Sequence, residues 1–355
     1  MFSKVRKFFE KYERRISTLA LILGFIFDFL TLTRIDRLYD NLVLSSYLCI
    51  VSLGIFIYNY IESRGARNKL FKNLHAFLPA VVQFAFGGLF SGISIFYLRS
   101  ATLSVNIIFV IVLFGLLIGN ESFRQKYQKL TFQLTIFYFV LYSYLIFSLP
   151  VFLKSIGAGV FVLSGVASLI VMSGIFIWFR KFLKGRFEES KKSLFLTVGA
   201  IFVVINLLYF LNVIPPIPLS LKSMDAYHLV FKRGADYVAL KEDHFFNPLD
   251  TISIVSGKPV YVFSSVFSPT DLDTETFHNW QYFDENKDRW VSTDRILIEI
   301  EGGRGDGFKG YTFKQNIFPG SWRVDIETAR GQLIGRETFR IKYVDVAPEL
   351  QEVIL

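Results

Sequence analysis

Along the first 220 residues, long apolar runs alternate with short polar segments; beyond that point the apolar positions recur every second residue. Seven runs, at 16–32, 41–61, 79–98, 101–119, 130–149, 156–179 and 194–214, have the length of about 20 residues that crosses a hydrocarbon core of about 30 Å. This predicts a membrane α-helical bundle of about seven transmembrane helices over residues 1–220. Pro215, Pro216 and Pro218 follow, and because proline cannot continue a helix they mark the boundary to a second domain, residues 221–355.

In that second domain the period is two. Phe339, Ile341 and Tyr343 alternate with Thr338, Arg340 and Lys342, and Trp322, Val324 and Ile326 alternate with Ser321, Arg323, Asp325 and Glu327. Ile296, Ile298 and Ile300 alternate with Leu297, Glu299 and Glu301. Each pattern predicts a strand with one buried face. Turn signals such as Pro319-Gly320 and Arg330-Gly331 separate them. Short strands at this spacing point to an all-β, Ig-like sandwich, with an open barrel as the alternative.

Charge orients the chain. Residues 1–220 hold 23 Lys and Arg against 9 Asp and Glu, whereas residues 221–355 hold 16 against 21. The overall charge of +9 therefore belongs to the membrane half and gives no reason to invoke nucleic acid. Within that half, 19 basic residues fall on the N-terminus and the segments 62–78, 120–129 and 180–193, against four on the intervening segments. The positive-inside rule places the N-terminus in the cytoplasm and, after an odd number of crossings, the β domain outside it. The expected location is the cytoplasmic (inner) membrane, multi-pass. The basic start before an apolar stretch also fits a signal peptide, but no small-residue cleavage site follows, so an uncleaved first helix is expected.

The single cysteine, Cys49, allows no intrachain disulfide and no Cys-based zinc site. No HExxH, GxSxG or GxxxxGK[ST] pattern occurs. No catalytic residue, metal or cofactor is nominated, and the pattern points away from an enzyme. Lys241-Glu242-Asp243-His244 with Asp250 offers oxygen ligands to calcium without the EF-hand spacing, so a solvated charged loop is the plainer account. Gly302-Gly303-Arg304-Gly305-Asp306-Gly307 would expose backbone N–H groups and an arginine to a carboxylate or phosphate, or would simply form a long hairpin turn. Trp280, Tyr282, Trp290 and Trp322 could stack on sugar rings if exposed, but alternation assigns Trp322 to the core. Gly302, Gly303, Arg304, His278, Trp280 and Arg323 are the ligand-binding candidates, with Arg323 expected to be solvated or salt-bridged beside Asp325.

In the membrane half, Asp28 interrupts the first apolar run, at a cost of about 2.5–3.5 kcal/mol on insertion scales. With Arg34, Asp36, Arg37, Arg99 and Lys154 it would form a charged outer vestibule if these side chains converge; the competing account pairs Asp28 with Arg34 or Arg99 at the interface. Gln83, Gln133, Asn106 and Asn206 are expected to join helices by amide hydrogen bonds, and Gly88 with Gly92 to let a neighbouring helix approach closely.

Val260-Tyr261-Val262-Phe263, His278-Asn279-Trp280, Gly302-Gly303-Arg304, Gly320-Ser321-Trp322-Arg323-Val324-Asp325 and Gly331-Gln332-Leu333-Ile334-Gly335-Arg336, closing on Phe339, follow one another in this order. On these stretches the C-terminal domain resembles the bacterial domain of unknown function numbered 2914. Phe308-Lys309-Gly310-Tyr311 matches the family pattern only loosely. The resemblance implies an envelope location and an all-β fold, and supplies no activity.

The expected function is a membrane envelope protein displaying a β domain that binds an envelope component, whether a glycan, a lipid headgroup or a partner protein. The alternative is a transporter or lipid-handling protein using Asp28, Arg99 and Lys154; a lipid-linked transferase ranks third.

Overall fold

The computed structural model describes residues 25–32, 37–65, 68–100, 111–113, 115, 129–242, 251–269, 274–300 and 307–355. The chain divides into two compact units, residues 1–98 with 107–213, and residues 99–106 with 214–355.

Among the described residues, the first unit contains five helices long and apolar enough to cross a membrane. They are α1 (Leu38–Arg64), α2 (Lys69–Ser100), α3 (Leu130–Leu153), α4 (Ala158–Phe182) and α5 (Lys184–Phe210). The two remaining apolar runs are described only in part, helical at 25–31 and 111–113. Observed helices extend past the apolar runs into the charged flanks, α5 by ten residues to Lys184, because Lys, Arg and Glu are good helix formers. Pro79 lies inside α2 and does not end it.

Small residues and amides make the helix contacts. A Cβ at Gly88 would lie 2.7 Å from the Tyr47 ring, and one at Gly92 would lie 2.7 Å from Leu44 Cδ2; these glycines let α1 seat its side chains against α2. Asn59 Nδ2 donates to Gln133 Oε1 at 2.7 Å, while Arg186 Nη1 donates to Asn59 Oδ1 at 2.8 Å and to Glu62 at 2.7 Å. This chain of polar groups ties α1, α3 and α5 together. Asn206 Nδ2 donates to the Tyr142 hydroxyl at 3.1 Å, joining α5 to α3.

Among the described residues, the second unit carries eleven strands: β1 (Ser220–Tyr227), β2 (Leu229–Arg233), β3 (Asp236–Glu242), β4 (Thr251–Ile254), β5 (Val260–Phe267), β6 (Thr274–Asp284), β7 (Arg289–Ile300), β8 (Phe308–Lys314), β9 (Gly320–Thr328), β10 (Leu333–Tyr343) and β11 (Leu350–Ile354). They form a five-stranded sheet in the order β4-β10-β9-β6-β7 and two three-stranded sheets, β1-β5-β8 and β11-β3-β2. The ladders are antiparallel except β4 on β10, which is parallel.

The alternation in the sequence sets which side chains meet. Trp322, Val324, Phe339 and Ile341 from the five-stranded sheet pack with Ala226, Val260 and Val262 from β1-β5-β8, and Trp280 is fully buried among them. Trp280 and Phe339 meet edge to face at 6.3 Å. The opposite side of β5 presents Phe263 to Val230 and Ala239 of the third sheet. The middle sheet is thus covered on both faces, giving a third layer where a two-layer sandwich was expected.

Candidate functional site

Two polar arrangements in the β domain involve the residues singled out from the sequence. The first is internal. His278 on β6 is fully buried, with Nε2 2.9 Å from Ser264 Oγ of β5 and Nδ1 2.9 Å from Thr312 Oγ1 of β8. Trp280 Nε1 donates to the same Thr312 oxygen at 2.9 Å. Burial pulls the imidazole from its ordinary 6.5 down to about 3, so at neutral pH the ring is uncharged. A histidine beside a serine suggests a base and nucleophile, but His278 is fully buried and Ser264 only 3% exposed. The arrangement joins the two sheets, and His278 and Trp280 present nothing to an external ligand.

The second arrangement lies on the face of the five-stranded sheet turned away from that core. Because Trp322, Val324 and Ile326 point inward, Arg323 and Asp325 between them point outward. Asp325 pairs in register with Arg336 on β10 and with Asn279 on β6. Arg336 grips both carboxylate oxygens of Asp325, Nε to Oδ1 at 2.6 Å and Nη2 to Oδ2 at 2.7 Å, the two-pronged geometry a planar guanidinium favours. Those hydrogen bonds hold the Arg336 pKa above its ordinary value.

Arg323 is fixed differently. Its Nε and Nη2 donate to the neutral Gln281 Oε1 at 2.9 and 2.7 Å, and its guanidinium carbon lies 4.4 Å from the centroid of the Trp290 ring. Gln281 Nε2 in turn donates to Asp325 Oδ2 at 3.2 Å. The nearest carboxylate, Asp325, stands 4.0 Å from Arg323 and is already held by Arg336. Burial lowers the Arg323 pKa: the cation is partly stripped of water without gaining a carboxylate of its own.

The sequence anticipated Arg323 beside Asp325 but not Gln281, Trp290 or Arg336 around it. Arg323 and Asp325 are two residues apart, so alternation alone places them together; the other three arrive from neighbouring strands. Gly302, Gly303 and Arg304 lie outside the described residues, as do Asp243–Asp250 of the charged loop. Glu242 is occupied internally: its Oε1 lies 2.8 Å from His228 Nε2 and accepts from the Ser253 amide at 2.6 Å. Lys241 pairs with Asp225. Among the described residues, no group of three or more His, Cys, Asp or Glu is placed to hold a metal ion.

In the helical unit, Asp28 lies against Ser91 of α2 and close to Tyr47 of α1. Arg34 and Asp36 lie outside the described residues. Arg99 ends α2, and Lys154 sits in the left-handed conformation just past α3.

Residues 273–341 match the family model described as a protein of unknown function, DUF2914. The match spans most of β6 to β10 and contains Gln281, Trp290, Arg323, Asp325 and Arg336. No curated protein matches the chain. Among solved structures, a β-glucosidase from Listeria innocua in complex with gluconolactone is 12% identical over 32% of this chain and 17% of its own, with a TM-score of 0.20. The Pseudomonas fluorescens alkylpurine DNA glycosylase AlkC, bound to DNA containing an abasic site analog, is 9% identical over 87% of this chain and 99% of its own, with a TM-score of 0.23. At those scores neither carries an argument about fold or function.

Proposed function

We propose that this chain is a multi-pass protein of the cytoplasmic membrane in which about seven helices anchor a β domain outside the cytoplasm, and that the outer face of the five-stranded sheet binds an envelope component or partner protein. The observation that carries the reading is Arg323, held by a neutral amide and an indole on an outward sheet face with its nearest carboxylate already claimed. The orientation rests on the 19 to 4 division of basic residues between alternate polar segments. Alkaline phosphatase fused after Leu355 should be active, and the same reporter fused after Gly185 inactive. Activity from the Gly185 fusion, or none from a stable Leu355 fusion, would overturn the reading.

A second reading, transport or lipid handling by the helices, rests on Asp28 as a carboxylate within an apolar run, because carboxylates in transmembrane segments usually mark ion or substrate paths. It requires that Asp28→Asn abolish the cellular phenotype while leaving the thermal transition in detergent nearly unchanged. A normal phenotype would exclude it.

A further inference from the structure

We infer that the outer face of the five-stranded sheet is a docking strip for an anionic polysaccharide laid along β10, an inference that rests on the reading of the β domain as a binding module. Phe339 and Ile341 of β10 are in the core, so Arg336, Thr338, Arg340 and Lys342 line the opposite face. On β9, Ser321 pairs with Arg340 and Arg323 with Thr338, which puts Ser321 and Arg323 on that same face. On the other flank, Thr251 and Ser253 of β4 pair with Arg340 and Lys342.

Alternate positions of a strand are about 7 Å apart, and diagonal cross-strand neighbours about 7–8 Å. Arg323, Arg340 and Lys342 therefore form one contiguous basic strip, beside the Asp325-paired Arg336. Two carboxylates on this face of β9 are taken: Asp325 by Arg336, and Glu327 by Arg295 at 2.7 Å. Arg340 and Lys342 are exposed and form no ion pair among the described residues. This is unexpected in a segment holding 21 acidic residues against 16 basic ones, where a compensating carboxylate is common. Grouping like charges costs self-repulsion, which a polyanion relieves as it binds.

The side-chain chemistry favours a sugar polymer over a bare polyanion. Hydroxyl-bearing Thr338, Ser321, Thr251 and Ser253 are interleaved with the cations, matching a chain that carries both hydroxyls and acidic groups. Beyond Arg323, Phe283 and Trp290 meet edge to face at 5.4 Å and are only partly buried, offering ring surface to a sugar at the flank of the strip.

The test uses the full-length protein in an uncharged detergent, with fluorescence polarisation of labelled polygalacturonate oligomers, neutral dextran and inorganic polyphosphate. Polygalacturonate should bind, more weakly as salt rises, and dextran should not. Replacing both Arg340 and Lys342 by Ala should weaken polygalacturonate binding about tenfold with the melting temperature unchanged, whereas Lys258→Ala, on an exposed turn, should not change it. Three results would overturn the inference: binding no better than dextran, binding indifferent to the double substitution, or polyphosphate binding as tightly as polygalacturonate. If the Leu355 phosphatase fusion is active and the polymer does not bind, this inference fails alone; if that fusion is inactive, the reading beneath it fails.

Discussion

His278 and Ser264 meet at 2.9 Å across the boundary between two separate hydrogen-bonded sheets. The contact belongs to a set in which Thr312 also receives the Trp280 indole. Each of these polar groups is buried, and each has a partner. Low pH must disturb this arrangement, because a protonated imidazole cannot accept a hydrogen bond and carries a charge into the core.

The direction of the pH effect follows from the lowered pKa. In the unfolded chain His278 takes up a proton near its ordinary 6.5, whereas in the fold it stays neutral down to about 3. Protonation therefore favours the unfolded state as pH falls below 6.5, and stability should drop through that window towards pH 3. Urea titrations at a series of pH values check this, most cleanly between about 6.5 and 5, above the carboxylate range. His278→Gln should lower stability at pH 7 and flatten the slope. An unchanged slope in that variant would place the titrating group elsewhere.

The Arg336–Asp325 pair should be sensitive to loss of the arginine. Asp325 is 5% exposed, so Arg336→Met leaves a carboxylate out of water with the Gln281 amide and, at 4.0 Å, Arg323 as its remaining partners. The expected cost is about 3 kcal/mol, the lower end for a broken buried pair. Adding Asp325→Asn on that background should recover most of it, and a double-mutant cycle reads the coupling.

Gly88 has no room for a side chain. Gly88→Ala brings a methyl within 2.7 Å of the Tyr47 ring, and the overpacking should cost about 1–3 kcal/mol unless the helices separate. Tyr47→Leu on the same background should relieve it. Thermal transitions in detergent decide both.

The β domain should fold from residue 214 onward. Gln332 Nε2 donates to the Ile214 carbonyl at 3.4 Å, and β1 begins at Ser220. A fragment of residues 214–355 should give a strand-dominated circular dichroism spectrum and a cooperative melt, and a fragment starting at 221 should melt lower. A molten spectrum from the longer fragment would make the domain dependent on the helices.

Local pattern explains what the sequence could reveal. Helices α1 to α5 announce themselves by apolar length, and Trp322, Val324, Phe339 and Ile341 are in the core as period-two alternation requires. Gln133 and Asn206 do join helices. Alternation fails at the edge: Tyr343 continues the phase of Phe339 and Ile341 yet is 40% exposed, with its hydroxyl on Ile317 O at 2.9 Å. What depends on pairing between distant strands was not legible. Nothing local in Gln281, Trp290 or Arg336 shows that they would gather on Arg323, and no short-range signal shows that Ser264 and Thr312 would close on His278. The seat of β11 on β3 was not legible for the same reason, since the two are far apart in sequence, whereas β2 and β3 form a local hairpin.

The parallel seat of β4 on β10 has a consequence for the time order of folding. Ile252 finds Ile341, and Val238 finds Ile354, only when nearly the whole domain has been made. Strands β3 and β4 must wait as open edges, each able to pair with a neighbouring chain, while the intervening hairpins assemble. Contacts of such long range make closure slow. The interval between synthesis and closure is therefore when this domain is most exposed to aggregation, and substitutions that weaken β10 or β11 should lower the yield of folded protein well before they change how the folded protein behaves.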